Sequence, residues 1–243
     1  MISPGEPVRT VFNPTIAKLA LQALLGRRRF YLLLAFPVLL IGLVTLITVL
    51  ADGDAAFEIL PGLGYPLVLP LVAILAASSV LGPEVDDGSI VYLLSKPVSR
   101  YGVAISKWVV ALGATLTAGA LPILVAALIT GDSTRALGLF VGAVVAGTTY
   151  SALFLAISAV TRHAVIASLM FVLIWESLLG NLFTGIAWLS IGQWGLRIGH
   201  EISSELPDPA NLGYAIIASL LVTVVGVWFA GDRLRSFTLR GDE

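Results

Sequence analysis

The chain has 243 residues, of which 58% are hydrophobic and 12% are charged, and its mean hydropathy is +0.98. This composition excludes an ordinary soluble domain and indicates an all-α, polytopic membrane protein. The absence of cysteine excludes disulfides, thiolate metal sites and cysteine nucleophiles, and the net charge of −1 gives no sign of a nucleic-acid partner.

The first 29 residues carry five of the fourteen basic residues and predict a helix that lies on the membrane surface. Asn13 followed by Pro14 is a strong helix start, because asparagine caps a helix and proline fits its first position. The apolar residues that follow fall on one face: Ile16, Leu19, Ala20, Ala23 and Leu24. The alternative is a simple basic flank that anchors the first span.

Six later segments are apolar over roughly the 20 residues that a membrane-spanning helix needs. We place them at Phe30 to Leu50, Leu63 to Leu81, Val103 to Ile129, Ala136 to Val160, Val165 to Leu182 and Leu212 to Ala230. The whole chain, 1–243, is then a single domain, with an interfacial segment at 1–29, a bundle at 30–230 and a tail at 231–243.

The basic residues predict which side of the membrane each connection faces. Twelve of the fourteen Lys and Arg residues lie in the N-terminal segment, in Leu81 to Trp108, in the turn at Thr161 to Ala164 and in the tail, whereas the other side holds only Arg135 and Arg197. Because basic connections stay inside, we expect both termini to be cytoplasmic. The opposite connections are acidic, as expected for an external face.

Leu81 to Trp108, between the second and third spans, is the longest stretch between two spans without an apolar run long enough to cross the membrane. Gly82-Pro83 ends the apolar segment, and the acidic cluster that begins at Glu84 cannot lie in hydrocarbon without a large penalty. Ser89 is a good helix cap, and the apolar run Ile90 to Leu94 predicts one or two helical turns that Pro97 stops. A helix this apolar outside the bilayer favours a protein partner. Ser99 is predicted to cap the helix after it.

This stretch closely resembles the signature between the second and third spans of ABC transporter permeases of the type-two, exporter-like class. The resemblance lies in three patterns: Glu-x-x-x-Gly-Ser-Ile from Glu84, Leu-Leu-Ser-Lys-Pro-Val-Ser-Arg from Leu93, and Ser-Lys-Trp ending at Trp108. The resemblance covers roughly 25 residues and carries no information on the cargo. It implies that the short helix is a coupling helix that docks on a separate ATPase subunit. The residues it assigns to that contact are Glu84, Asp86, Asp87, Gly88, Ser89, Ile90, Tyr92, Leu93, Leu94, Lys96, Pro97 and Arg100.

Further expectations follow from the resemblance. The helix after Asn13 corresponds to the interfacial elbow helix of such permeases. The translocation path is expected to be formed by two copies of the chain, or by one copy and a related permease. The complex is expected to lie in the lipid of a cell membrane, in a prokaryotic organism. The direction is export.

The region from Phe183 to Gly199 is apolar but interrupted by glycines. If this region crossed the membrane, the basic C-terminal tail would lie outside, although basic segments normally stay in the cytoplasm. We therefore predict a re-entrant or interfacial pair of short helices, as in the permease family. Just before it, Glu176 lies within the fifth predicted span and is a candidate for the substrate path. The alternative is a structural role, with its carboxylate hydrogen-bonded to Asn181 or to a loop amide near the outer surface.

Small residues at Gly138, Gly142 and Ala146 predict close helix packing, within the chain rather than between copies.

The sequence contains no phosphate-binding loop, because the nearest candidate, Gly102 to Lys107, lacks the second glycine and is followed by Trp108. We therefore expect no enzymatic activity of this chain by itself and no cofactor bound by it, with ATP and Mg²⁺ held by the partner ATPase. The alternative function is a secondary transporter or channel-like protein not driven by ATP. A secondary transporter typically carries several ionisable residues within its spans, so a lone Glu176 argues against it.

Overall fold

The structure is a computed structural model that describes residues 12–51, 53–86, 99–179 and 187–236. These residues form helices and connecting turns, and no strand occurs among them. Five of their helical segments are long and apolar enough to cross a membrane: Tyr31–Leu50, Gly53–Leu81, Arg100–Ile129, Ser133–Val160 and Leu212–Leu234. The prediction of an all-α, polytopic membrane protein is confirmed.

Helix α1 begins where the sequence predicts. It runs Pro14–Leu24, and the side-chain oxygen of Asn13 accepts hydrogen bonds from the backbone N–H groups of Thr15 and Ile16. This cap satisfies two of the amides that a helix leaves unpaired at its start. The predicted helix start is confirmed.

The side of α1 that contacts the bundle is narrower than predicted. Ile16, Ala20 and Leu24 are buried at a spacing of four residues. Leu19 and Ala23, predicted on the same face, are exposed. Residues spaced by four line a single stripe of a helix, so α1 contacts its neighbours along that stripe and leaves other apolar side chains facing away from them.

Helix α2, Arg27–Leu50, follows after a turn at Leu25 and Gly26. Its apolar part, Tyr31–Leu50, agrees with the first predicted span. Most of the side chains described in α2, at 31–50, are exposed, so this part of α2 packs on the other helices over a narrow surface.

The helix of the second span is longer than the predicted span at both ends. Helix α3, Gly53–Ile59, runs through a π-helical segment, Leu60–Val68, into α4, Leu69–Asp86. The apolar part ends at Leu81 as predicted, but the helix itself continues past Pro83. An interior proline usually kinks or ends a helix, but here the helix continues through Pro83 to Asp86, so Gly82-Pro83 is not a helix boundary.

The third span also contains a π-helical turn. Helix α5, Arg100–Thr115, continues through Leu116–Ala120 into α6, Leu121–Ile129. The side chain of Ser99 caps α5 as predicted, because its Oγ accepts a hydrogen bond from the N–H of Gly102 at 3.4 Å.

Helix α7, Ser133–Val160, is the fourth span and lies at the centre of the bundle, in contact with α4. Asp132 caps it by accepting hydrogen bonds from the backbone N–H groups of Arg135 and Thr134. These hydrogen bonds favour the ionised form and lower the pKa of the Asp132 carboxyl.

The fifth predicted span differs more from the structure than the other predicted spans do. Helix α8, Ala164–Phe171, continues as a π-helical segment, Val172–Leu179, and the apolar helix within this region, Ala164–Glu176, is shorter than the other spans. The predicted end at Leu182 lies outside the described residues. The described residues therefore contain five helices of spanning length, where the sequence predicted six.

After residue 186 the chain forms a 3₁₀ turn, Ala187–Leu189, and then α9, Ile191–His200. A helix of this length extends about 15 Å, roughly half of the hydrocarbon thickness. Helix α9 therefore does not cross on its own, in agreement with the prediction of short helices here. Helix α10, Leu212–Ser236, completes the described fold.

Helix α9 packs along the first half of α7 through glycines on both sides. A Cβ on Gly138 would lie 2.9 Å from the carbonyl oxygen of Gly199, and one on Gly195 would lie 2.6 Å from the carbonyl oxygen of Gly142. Only glycine permits backbones to approach this closely. The small-residue stripe therefore packs within the chain, as predicted. Helix α9 therefore lies beside only part of α7, which is of spanning length.

Contacts between helix ends define the two ends of the bundle. The start of α3 meets the end of α6, where Gly53 lies against the backbone of Thr130. The start of α5 meets the last turns of α10, where Gly231 lies against the ring of Tyr101. Following the predicted orientation, we call the first the outer end and the second the inner end.

Candidate functional site

The connection predicted to dock an ATPase subunit joins α4 to α5 at the inner end. Glu84 and Asp86 lie in the last turns of α4, and Arg100 is the first residue of α5. The other residues assigned to this contact lie outside the described residues: Asp87, Gly88, Ser89, Ile90, Tyr92, Leu93, Leu94, Lys96 and Pro97. The coupling helix itself therefore stays a prediction, whereas the two helices that hold it are described.

Two polar contacts tie α5 to neighbouring segments beside this connection. Lys107 on α5 is only 1% exposed, and its ammonium group donates a hydrogen bond to the carbonyl oxygen of Val80 on α4 at 2.7 Å. The backbone N–H of Asn13, just before α1, donates to the Oγ of Ser106 on α5 at 2.8 Å. Helices α1, α4 and α5 are thereby linked beside the predicted docking segment.

Sequence reasoning missed the contact of Lys107 with α4. It placed Lys107 only among the basic residues near the start of the third span. The signal that could have found it was present, since Lys107 falls inside the predicted span Val103 to Ile129, and a lysine within a span needs a partner for its charge.

Glu176 lies in the π-helical segment after α8 and is 5% exposed. Its Oε2 accepts a hydrogen bond from the hydroxyl of Ser190 at 2.5 Å, and its Oε1 accepts one from the backbone N–H of Ile191 at 2.9 Å. Both donors belong to the start of α9. Because a helix N-terminus carries a partial positive charge, it is a favourable partner for a carboxylate. Glu176 therefore connects the end of α8 to the start of α9.

The hydroxyl of Tyr150 on α7 is directed to the same place. A Cβ on Gly192 would lie 3.4 Å from the Tyr150 oxygen, 3.6 Å from Oε2 of Glu176 and 3.7 Å from Oγ of Ser190. Tyr150 is fully buried and lies about 25 Å along α7 from its outer end. The structure thus places Glu176 deep in the bundle, among protein hydrogen-bond donors.

At the outer end, Arg135 gathers acidic side chains from separate parts of the chain. It forms ion pairs with Asp54 on α3, at 2.6 Å, and with Glu205 after α9. Its guanidinium also lies 5.1 Å from the centre of the Phe57 ring, which is within the range of a cation–π contact. The start of α3, the start of α7 and the connection before α10 are joined at this residue.

Arg197 makes a second set of ion pairs nearby in the chain. It contacts Glu201 and Asp208, each at 2.8 Å, and donates a hydrogen bond to the carbonyl oxygen of Ala210 at 2.8 Å. The basic and acidic residues that the sequence predicted for the external face therefore pair with one another. In the described ranges, no group of three or more His, Asp or Glu side chains is arranged to hold a metal ion.

The long apolar helices, buried polar links and segregated ion pairs define a multi-pass helical membrane protein. The sequence model of the family described as ABC-2 family transporter protein matches residues 64–229, more than half of the chain. The chain therefore belongs to this family and is a transmembrane transport component of the permease type. Membership implies, in general terms, an ABC ATPase as partner. No curated protein matches the chain.

Proposed function

We propose that the chain is the permease subunit of an ATP-driven exporter and couples to a separate ATPase subunit. The observation that carries the proposal is the family match, which includes the whole α4–α5 connection. The sequence supports it, because no phosphate-binding loop is present. ATP and Mg²⁺ would then be bound by the partner, in a prokaryotic cell membrane with both termini in the cytoplasm.

The contacts beside the connection suggest how movement would spread into the bundle. Lys107 links α5 to α4, and Asn13 links α1 to α5. A push on residues 87–98 by the ATPase would therefore displace α1, α4 and α5 together. Helix α7 contacts α4 and α9, so the displacement would reach the short helices and Glu176, the candidate residue of the substrate path.

A second permease, identical or related, would complete the path. Helices α2 and α10 support this proposal, since they expose many of their apolar side chains, Leu39 to 67% and Ile217 to 65%. Exposed apolar surface on a spanning helix is available to another protein or to lipid.

The test changes Tyr92 and Leu93 to Asp in the predicted coupling helix. Burial of each apolar side chain is worth roughly 1.5–3 kcal/mol, so losing both should weaken the ATPase complex by at least about a hundredfold. The measurement is the amount of ATPase subunit that co-purifies with the permease, together with the ATPase activity of the complex.

Ile202→Asp is the matched control, because Ile202 is 40% exposed and lies at the outer end. It should leave the complex intact, and the permease alone should hydrolyse no ATP. If the Tyr92/Leu93 double variant still assembled and transported normally, or if the isolated chain hydrolysed ATP, the proposal would be wrong.

A further inference from the structure

An apolar groove of about 730 Å³ lies between α1, α2 and the third span, along which its lining reaches Pro122 of α6. Its wall is formed by Leu21 and Leu25 from the α1 side, Pro37 and Ile41 from α2, and Gly113 from α5. The groove is open on one side, and its volume falls within the range of about 300–1,000 Å³ that is typical of ligand sites.

One charged side chain lies at the edge of this apolar wall. Lys18 of α1 lines the groove and is exposed. Among the described residues it has no ion pair or hydrogen bond that would neutralise its charge. An occupant with an apolar body and an anionic end matches this distribution of apolar surface and charge.

The start of α2, immediately after the turn that follows α1, is also basic. Arg27, Arg28 and Arg29 occupy the first turn of α2, which contains no acidic residue, and the cap residue Gly26 supplies no side-chain hydrogen bond. Positive charges at a helix N-terminus oppose the helix dipole. Basic clusters beside a spanning helix attract anionic lipid, so this part of the sequence favours an anionic lipid over a neutral one.

We propose that this groove binds one anionic phospholipid, with an acyl chain between α1, α2 and α5 and the headgroup phosphate at Lys18. Apolar contact alone would not select a lipid, since lipid tails are as apolar as the groove wall. The charge at Lys18 supplies the selectivity. The lipid would hold α1 against the helices that flank the docking connection, so it is a structural ligand distinct from the transported cargo.

The test measures lipid bound to the full chain by native mass spectrometry, with phosphatidylglycerol and phosphatidylcholine of identical acyl chains. The first variant, Gly113→Leu, should fill the groove without disturbing the fold, because a Cβ at Gly113 meets no atom within 4 Å. Gly42→Leu is the matched control, since Gly42 is an exposed glycine of α2 with equal space and does not line the groove. Gly113→Leu should lose the retained lipid, and Gly42→Leu should keep it.

The second variant, Lys18→Gln, tests the headgroup contact. A basic residue near a membrane surface contributes about 1 kcal/mol to binding of anionic lipid, so the preference for phosphatidylglycerol should fall about fivefold. Arg162→Gln, an exposed basic residue in the turn after α7, should leave it unchanged. Inorganic phosphate added in excess should not displace the lipid.

Any one of several results would overturn the proposal. They are equal binding of the two lipids by the unmodified chain, equal retention by Gly113→Leu and Gly42→Leu, displacement by inorganic phosphate, and an unchanged lipid preference in Lys18→Gln. Because the chain has no cysteine, Gly113→Cys adds a check on a different occupant. Efficient disulfide formation between two copies at this position would place a second copy in the groove, against the proposal.

Discussion

Glu176 shows how a single carboxylate is accommodated inside an otherwise apolar bundle. A buried charge is strongly unfavourable unless its oxygens are hydrogen-bonded. Here both oxygens are used, one by the Ser190 hydroxyl and one by the Ile191 amide. These bonds give Glu176 a structural task, connecting α8 to α9, whether or not cargo also reaches it.

We therefore predict that Glu176→Ala lowers the stability of the folded chain. The substitution leaves the Ser190 hydroxyl and the Ile191 amide buried without an acceptor, at a cost of about 3 kcal/mol. Glu176→Gln keeps one acceptor oxygen and should be milder. The measurement is the thermal melting temperature of the purified protein, and Glu58→Ala is the control because Glu58 is exposed and has no ion pair in the described structure.

The same variants separate the structural role from a role in the substrate path. If Glu176 lines the path, Glu176→Gln should reduce transport more than its small effect on melting explains. Equal melting temperatures for Glu176→Ala and Glu58→Ala would contradict the structural role.

At the scale of residues, the sequence predicted a position correctly where the type of side chain is unusual for its surroundings. Glu176 stood out because acidic residues are unfavourable inside a span. Its partner Ser190 did not, since it lies within the glycine-interrupted region Phe183 to Gly199, whose path no periodicity rule gives. The position of Lys107 inside a predicted span indicates that its charge needs a partner, but only the structure shows that its ammonium group donates to the Val80 carbonyl.

At the scale of elements, the position of α9 depends on backbone contact with α7. A 10-residue helix has too little apolar surface to hold a fixed place by burial alone, and α9 uses close glycine contacts, ion pairs at its end and Glu176 at its start. Helix α9 is therefore expected to be sensitive to small increases in side-chain volume at the contact.

Gly142→Ala is predicted to destabilise the chain by about 1–3 kcal/mol, the usual effect of overpacking. The new Cβ would overlap the carbonyl of Gly195 and lie 2.6 Å from the hydroxyl oxygen of Tyr65. Gly42→Ala has open space around it and should instead raise stability by about 0.5–1 kcal/mol, because alanine favours the helix. Thermal melting of the two variants should therefore shift in opposite directions, and a shift of the same sign would show that the α7–α9 contact is not tight.

The ends of helices were predictable from the sequence where a capping residue fixes them. They were not predictable where the hydropathy of the segment was the only signal. Asn13 and Ser99 cap helices at the predicted positions because their side chains accept backbone hydrogen bonds. The second span was predicted from hydropathy, which marks the apolar part ending at Leu81 but does not detect that the helix begins at Gly53 and ends at Asp86.

At the scale of the whole molecule, the distribution of charge agrees with the order of the helices. Asp54 and Glu205, predicted on one face from the sequence, meet at Arg135 although they are far apart in the chain. The turn at Thr161 to His163 lies at the opposite end of α7. The grouping of connections into two ends was thus predictable from charge and span order, whereas the pairing within the outer end required the packing of the bundle.

The orientation of these two ends gives the last prediction. Because twelve of the fourteen basic residues belong to the inner end and its termini, the charge rule places that end in the cytoplasm. In this cysteine-free chain, Asp54→Cys should react with a membrane-impermeant maleimide in intact cells, since the Asp54 side chain is 84% exposed. His163→Cys, also at an exposed position, should react only after the cells are permeabilised. Labelling of position 163 in intact cells, with position 54 protected, would reverse the assignment and place the α4–α5 connection on the side where no ATPase could reach it.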